Sequence, residues 1–133
     1  IRDRSITLKE GKDITIFCAG SMVHKSLEVA KILETKNISC KVVNMHTIKP
    51  LDRESVLTAA SETKGIVTAE EHRVTGGLGS AIAELLSVEK PTPMRIIGFP
   101  DEFAVVGPTP KVREGYGLTS TNITNCCMEI LTN

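Results

Sequence analysis

Apolar segments of strand length alternate with segments of helical periodicity along this chain, and that alternation limits the fold more than any other feature. Short, nearly continuous apolar runs indicate strands that helices cover on both faces of a parallel sheet. The order therefore predicts an α/β fold with three layers: a mostly parallel five-stranded sheet, one antiparallel edge strand, and helices on both faces. Strands are predicted at 5–8, 14–19, 40–45, 66–69 and 94–97, and helices at 22–35, 53–62, 77–88 and 120–131.

Local signals at the ends of these segments predict pairing and capping. A polar turn at 9–13 joins the first two strands, and so short a loop predicts that they pair antiparallel with each other. Asp52 is placed to cap the second helix, and Thr119 the last one. Leu118 and Ile123 have the spacing of a hydrophobic staple around that second cap.

Length and charge exclude several classes of protein. The 133 residues predict one domain, 1–133, that buries enough surface to fold without a disulfide or metal. Sixteen basic residues balance sixteen acidic ones, so neither nucleic acid nor a membrane surface is expected as a partner. No apolar stretch is long enough to span a bilayer, and no secretory leader opens the chain. Ile1 in place of Met indicates processing or a piece of a longer polypeptide.

The four cysteines have no spacing typical of a zinc site or of a disulfide framework. Cys18 and Cys40 lie in apolar strand segments, where a thiol acts as a small hydrophobic group. On the last helix, one of Cys126 and Cys127 is expected inside and the other near the surface. We therefore expect no redox chemistry and a reducing, cytoplasmic setting.

Polar residues follow the predicted carboxyl ends of the strands, where open α/β sheets bind ligands. Gly20-Ser21, His46, Glu70-Glu71-His72 and the loop after Gly98 could form a crevice for an anionic ligand over helix N-termini. Alternatively, glycine and serine at such junctions simply make turns and caps, and we favour this second interpretation.

Two motifs at these junctions contain residues that could carry chemistry. Glu70, Glu71 and His72 supply two acids and a base, but three adjacent residues cannot all face one substrate, so anchoring of a loop or subunit is favoured over catalysis. The run 76–79, with Gly76 and Gly77, matches neither a P-loop nor a dinucleotide fingerprint. Glycine there is expected to let the helix approach the sheet closely.

Three runs resemble the C-terminal domain of the transketolase family of thiamine-diphosphate enzymes. They are Thr-Ile-Lys-Pro-Leu-Asp at 47–52, which contains Lys49; Thr-Ala-Glu-Glu-His at 68–72 with the glycine-rich run after it; and 98–103 with 116–119. Parts of the pattern are shared with 1-deoxyxylulose-5-phosphate synthase and with the β chains of 2-oxo-acid dehydrogenase E1 components. The Thr-Ile-Lys-Pro-Leu-Asp and Glu-Glu-His sequences favour transketolase over both. Asn44 stands where the family usually carries Asp, which removes a charge beside His46 and Lys49.

The resemblance implies an enzyme that transfers a ketol group between sugar phosphates with thiamine diphosphate and a divalent metal such as Mg²⁺. This chain lacks the Gly-Asp-Gly run that such a diphosphate site needs. We therefore expect no catalytic, cofactor-binding or metal-binding residue here, and an isolated chain that is inactive. The expected partners are the pyrimidine-binding and diphosphate-binding domains of the same enzyme, assembled as a homodimer. The candidate loop or interface residues are Glu70, Glu71, His72, Gly76, Gly77, His46 and Lys49.

Two other classes stay open at this point. One is a stand-alone regulatory module that binds an anion or nucleotide, favoured only by the glycine-rich helix start. The other is an independent enzyme that uses Glu70 and His72.

Overall fold

A computed structural model describes residues 5–46, 51–73, 77–99 and 118–132. Of the three runs that carry the resemblance, residues 47–50, 76, 100–103 and 116–117 lie outside the described residues. The elements are β1 (Ile6–Lys9), β2 (Ile14–Cys18), α1 (Met22–Glu34), β3 (Cys40–Asn44), α2 (Arg53–Glu62), β4 (Ile66–Arg73), α3 (Leu78–Glu89), β5 (Met94–Phe99) and α4 (Ser120–Thr132).

The five strands form one sheet in the order β1-β3-β2-β4-β5. Parallel pairing joins β3 to β2, β2 to β4, and β4 to β5, whereas β1 runs antiparallel to β3. The predicted fold class is confirmed. Because the chain leaves β2 toward β3 and later returns past it to β4, the direction of winding reverses between β2 and β4. In folds of this kind that reversal opens a crevice at the carboxyl ends of the two strands.

Two apolar cores sandwich the sheet. Ile14, Ile16 and Cys18 face a core built with α1 and α4, while Phe17 faces the core under α2 and α3. All five residues of β2 are buried, so this strand contributes to both cores. None of the helices in the described ranges is long and apolar enough to cross a membrane.

The predicted hairpin between β1 and β2 is wrong, because β1 pairs with β3. Both edges of β2 are already taken by parallel neighbours, β3 and β4. The polar turn at 9–13 therefore passes over the start of β3 instead of folding β1 back on β2. The length of the loop could not reveal the partner of β1. A short loop shows that two strands lie near each other, but it does not show whether an edge of the second strand is free to pair.

Hydrogen bonds fix this crossing to the first residues of β3. The Asp13 carboxylate accepts the Ser39 N–H at 2.7 Å, the Ser39 hydroxyl accepts the Lys12 N–H at 3.0 Å, and the Ser39 carbonyl accepts the Asp13 N–H at 2.9 Å. At Gly11 the backbones are so close that a Cβ would lie 2.3 Å from the carbonyl carbon of Cys40. Glycine is therefore required at the crossing.

Both predicted helix caps are confirmed. The Asp52 side chain accepts the Ser55 N–H at 3.1 Å, and the Thr119 hydroxyl accepts the Asn122 N–H at 3.1 Å. Asp52 also accepts two bonds from Ser5, from its N–H at 2.8 Å and its hydroxyl at 2.9 Å. One carboxylate thus starts α2 and holds the residue before β1 in place.

Replacing Gly11 by alanine tests the crossing. We expect Gly11→Ala to lower the free energy of unfolding by about 1–3 kcal/mol, because the new methyl group meets backbone atoms that cannot rotate away. Urea unfolding followed by circular dichroism measures the change. Glu10→Ala, at an exposed neighbouring position, is the matched control and should change stability little. Equal stability of the two variants would contradict the close approach.

Candidate functional site

The candidate residues that the structure describes lie toward the carboxyl ends of their strands. Gly20 and Ser21 follow β2, His46 follows β3 and is exposed, and Glu70 and Glu71 lie in the second half of β4. Lys49, Gly76 and the His72 side chain lie outside what the structure describes. The candidate site described below consists of the residues around Glu70.

Glu70 is turned toward the start of α3. Its side chain is almost fully buried, with the residue 5% exposed, and its carboxylate accepts the backbone N–H groups of Leu78 and Gly79. Gly77, the N-cap residue, has no side chain with which to cap the helix. Glu70 therefore does from a neighbouring strand what an N-cap residue does locally.

The position of this carboxylate at the start of a helix favours a structural use. The first turn of α3 contains no acidic residue, so Glu70 supplies the negative charge that the positive end of the helix dipole attracts. Main-chain N–H groups replace the water that the buried carboxylate has lost. The contact ties the start of α3 to β4.

Gly79 brings α3 close to the sheet. A Cβ at this position would lie 2.5 Å from Cγ2 of Ile96 and 2.7 Å from the hydroxyl oxygen of Thr68. The glycine-rich run therefore serves close helix–sheet packing, one of the two roles considered for it. Thr68 is fully buried and its hydroxyl oxygen has no hydrogen-bond partner in the described part of the chain.

The start of α1 differs from that of α3, because no side-chain cap is found there among the described residues. Ser21 makes no capping hydrogen bond, and the first turn has no acidic residue. Gly20 has φ +59°, a left-handed conformation that glycine adopts without strain. Nearby, Asn44 is paired with Cys18 across the sheet, and its buried Oδ1 atom finds no hydrogen-bond partner among the described residues.

Glu70→Ala tests the cap from the strand. It leaves two N–H groups of α3 without an acceptor, so we expect a loss of about 1–3 kcal/mol in the free energy of unfolding. Glu70→Gln keeps an acceptor oxygen and should lose less. The matched control is Glu84→Ala, which removes the same charge from an exposed position of α3. Chemical denaturation measures the free energy of unfolding of the three variants. A loss of stability for Glu84→Ala as large as that for Glu70→Ala would contradict the cap.

The four thiols are free and mostly buried, as predicted. Cys18, Cys40 and Cys127 are buried and Cys126 is half-buried. Burial raises the pKa of Cys18 to about 11, although the Ser26 hydroxyl opposes the shift, and it raises the pKa of Cys127 to about 12. Burial likewise raises the pKa of Cys40 and of Cys126. Neutral thiols are poor nucleophiles, so no cysteine chemistry is expected here.

These thiols should make the fold lose stability in alkali. Above pH 9 the unfolded chain releases the Cys18 proton while the folded chain holds it up to about pH 11, so unfolding becomes more favourable as pH rises. Each such thiol contributes a slope of about 1.4 kcal/mol per pH unit in that window. Urea titrations at several pH values measure how steeply the free energy of unfolding falls with pH. For Cys18→Ala this slope should be shallower by the contribution of one thiol. Parallel slopes for the two proteins would refute a buried neutral Cys18.

Within the described ranges, no group of three or more histidine, cysteine, aspartate or glutamate residues could hold a metal ion.

Comparison with known proteins decides the family. The sequence profile "Transketolase, C-terminal domain" matches residues 4–123. The chain belongs to the transketolase C-terminal domain family. The resemblance inferred from the three runs is therefore confirmed.

Relatives of this transketolase C-terminal domain are enzyme subunits and enzymes. It is 44% identical over 123 residues to the 6-deoxy-6-sulfo-D-fructose transketolase subunit SqwH of Clostridium sp. (strain MSTE9), a match of 92% of this chain and 38% of that protein. It is also 44% identical over 128 residues to 1-deoxy-D-xylulose-5-phosphate synthase of Heliobacterium modesticaldum, covering 96% of this chain and 20% of the synthase.

A solved structure agrees with both fold and sequence. It is a split-gene transketolase, described as an inactive β4 tetramer, with a TM-score of 0.90 and 46% identity. The match covers 98% of this transketolase C-terminal domain and 43% of that chain. The domain thus spans less than half the length of the relatives that it matches.

One surface was missed by the sequence argument. Ile6 and Leu8 of β1 are large apolar side chains that are 53% and 41% exposed. The sequence did contain a signal for this surface. Apolar and polar residues alternate along β1, and a strand at the edge of a sheet can leave its apolar side chains exposed.

Proposed function

We propose that this chain is the C-terminal, dimer-supporting domain of a thiamine-diphosphate-dependent transketolase, which transfers a ketol group between sugar phosphates. The cofactor and its divalent metal are held by other domains of the parent enzyme. The domain packs against the pyrimidine-binding domain and extends the dimer interface, and the isolated chain is inactive. Four free cysteines fit a cytoplasmic location for the parent.

The observation that carries the proposal is the match to a split-gene transketolase across nearly the whole chain at 46% identity. SqwH, at 44% identity, is likewise a subunit of a transketolase. In both cases this chain corresponds to about two-fifths of the relative. A parent with further domains, or a subunit with a separate partner, follows naturally from these proportions.

The residues around Glu70 do not fit a thiamine diphosphate group. A helix N-terminus can bind phosphate when its N–H groups are free, but the glycine-rich start of α3 is filled by the Glu70 carboxylate. A second negative group at this place would be repelled by a buried charge. This arrangement supports a cofactor site elsewhere in the parent, and it equally weakens the regulatory anion-binding module, whose only favourable feature was the same helix start.

The proposed interface role draws on the same structural relative. That protein, whose chain is more than twice as long as this domain, is described as a tetramer of its β chain alone and as inactive. Self-association without activity is what we propose for a chain that supports assembly while a partner supplies the rest of the catalytic site. Glu71, His72, Gly76, Gly77, His46 and Lys49 stay candidate loop or interface residues.

Calorimetry on the 133-residue chain tests the cofactor part of the proposal. We expect no binding of thiamine diphosphate with Mg²⁺, because the candidate helix start already holds a carboxylate. Circular dichroism before and after the titration shows that the chain is folded. Binding at micromolar affinity would contradict the proposal. The same titration on the parent enzyme, with its partner subunit if it has one, is the positive control.

A second candidate is the same domain of a 1-deoxyxylulose-5-phosphate synthase. The specific observation in its favour is 44% identity to the Heliobacterium modesticaldum synthase, equal to that of SqwH. The native parent polypeptide, purified with its partners and supplied with thiamine diphosphate and Mg²⁺, separates the two. Ketol transfer between sugar phosphates supports transketolase, whereas formation of 1-deoxy-D-xylulose 5-phosphate supports the synthase.

A further inference from the structure

A polar cavity lies on the α2 side of the sheet, between that helix and the outer strands β1 and β3. Its volume is about 270 Å³. Val43 of β3 faces the core under α2 and α3. Lys41, two positions before Val43, and Thr7, the partner of Val43 on β1, therefore point to the same side of the sheet. We call this space the Lys41 cavity. The described residues that line it are Ser5, Thr7, Lys41, Asp52, Glu54, Ser55 and Thr58.

Lys41 brings a buried charge to this cavity. The residue is 7% exposed. Among the described residues its ammonium group has one polar contact, with Glu62 Oε2 at 4.0 Å, which is too long for a hydrogen bond. The Glu62 side chain is itself 59% exposed, so water screens this ion pair. A buried ammonium group that donates no hydrogen bond is costly. An acceptor, either water or a ligand, therefore has to reach Lys41 from the cavity.

The other polar groups leave the cavity richer in donors than in acceptors. The Asp52 carboxylate already accepts the N–H groups of Ser5 and Ser55 and the hydroxyl of Ser5. The hydroxyl groups of Ser5 and Ser55 lie 2.8 Å apart. Thr7 and Thr58 add two further hydroxyl groups at the exposed rim. The cavity thus offers an ammonium group and hydroxyl groups to an acceptor, while the Asp52 carboxylate is already used.

The charges around the cavity select the kind of acceptor. The carboxylates of Asp52 and Glu54 line it together with one ammonium group. They repel a group with two negative charges, such as phosphate, more strongly than a group with one. A single carboxylate group can accept from an ammonium group and from a hydroxyl group at the same time. Glu54, which is exposed, would in addition favour a ligand with a positive charge beside its carboxylate.

We propose that the Lys41 cavity binds the carboxylate group of a small organic molecule, with Lys41 as the residue that pairs with its charge. The inference concerns residues of this chain alone and does not rest on the proposed function. The carboxylate can belong to an amino acid, whose ammonium group would face Glu54, or to an organic acid without such a group. Both share the contact with Lys41, and the experiment separates them.

Titration of the full native polypeptide with small probes tests the proposal. Calorimetry at fixed pH and ionic strength measures the binding of acetate, of glycine and of inorganic phosphate. Lys41→Met keeps a long side chain and removes its charge. Lys64→Met removes the same charge from an exposed position and is the matched control. We expect acetate or glycine to bind the native protein and the control alike, and to bind Lys41→Met more weakly by about tenfold or more.

Two supporting outcomes separate the sources of the carboxylate. Glycine that binds more tightly than acetate, with the difference lost in Glu54→Gln, assigns the cavity to an amino acid. Equal binding, or tighter binding of acetate, assigns it to an organic acid.

Four other outcomes would overturn the proposal. They are the absence of saturable binding by acetate and glycine, binding that is unchanged in Lys41→Met, equal losses in Lys41→Met and Lys64→Met, and phosphate that binds more tightly than both carboxylates. The first of these would leave water as the acceptor for Lys41.

Thr58→Ala keeps the test possible if Lys41→Met does not fold. Thr58 is exposed on α2, so the fold should tolerate the change. Loss of its hydroxyl group should weaken the binding of the better carboxylate probe by about fivefold. Thr121→Ala, at an exposed position of α4, is the matched control and should bind as the native protein does. Native affinity in Thr58→Ala would overturn the assignment of the cavity.

Discussion

The burial of β2 is the constraint on which the rest of the structure depends. Its five residues are all inaccessible to solvent, and parallel partners occupy both of its edges. A strand in this position has to be covered by helices on both faces, which requires the crossovers through α1 and α2. It also excludes β1 from its sequence neighbour, so β1 becomes the edge strand beyond β3. At that edge, Ile6 and Leu8 stay largely exposed.

Carboxylates in this domain are used to organise the main chain. Asp13 holds the crossing loop on the first residues of β3, Asp52 starts α2 and fixes Ser5, and Glu70 starts α3. In each case the acceptor oxygens bind N–H groups that secondary structure leaves without a partner. An acidic residue at the end of a strand is therefore ambiguous in sequence, because catalysis and capping require the same chemical group.

Local sequence patterns predicted much of the fold, but they did not predict contacts between residues far apart in sequence. In the described part of the chain, the order and type of the helices and strands, the caps at Asp52 and Thr119, and the division of the thiols between inside and surface followed from spacing and periodicity. The partner of β1 did not, since it depends on which edges of β2 are free. The direction of Glu70 was also beyond reach, because a side chain at a strand end turns to whichever neighbouring element the fold brings close. The family came from the combined runs, because no single residue at the carboxyl edge identifies the chemistry.

The passage of residues 9–13 over the start of β3 also fixes an order of events. Ile6 pairs with Asn44, so the first strand of the chain has to wait until the third has been made and placed. During synthesis, β1 emerges early but has no edge to join until β3 has docked against β2. β1 therefore joins the sheet only after β3, although it comes before β3 in sequence. Because β1 is held in the sheet through β3 alone, its release would leave the parallel strands β3, β2, β4 and β5 paired as they are, so β1 can open as a local unit.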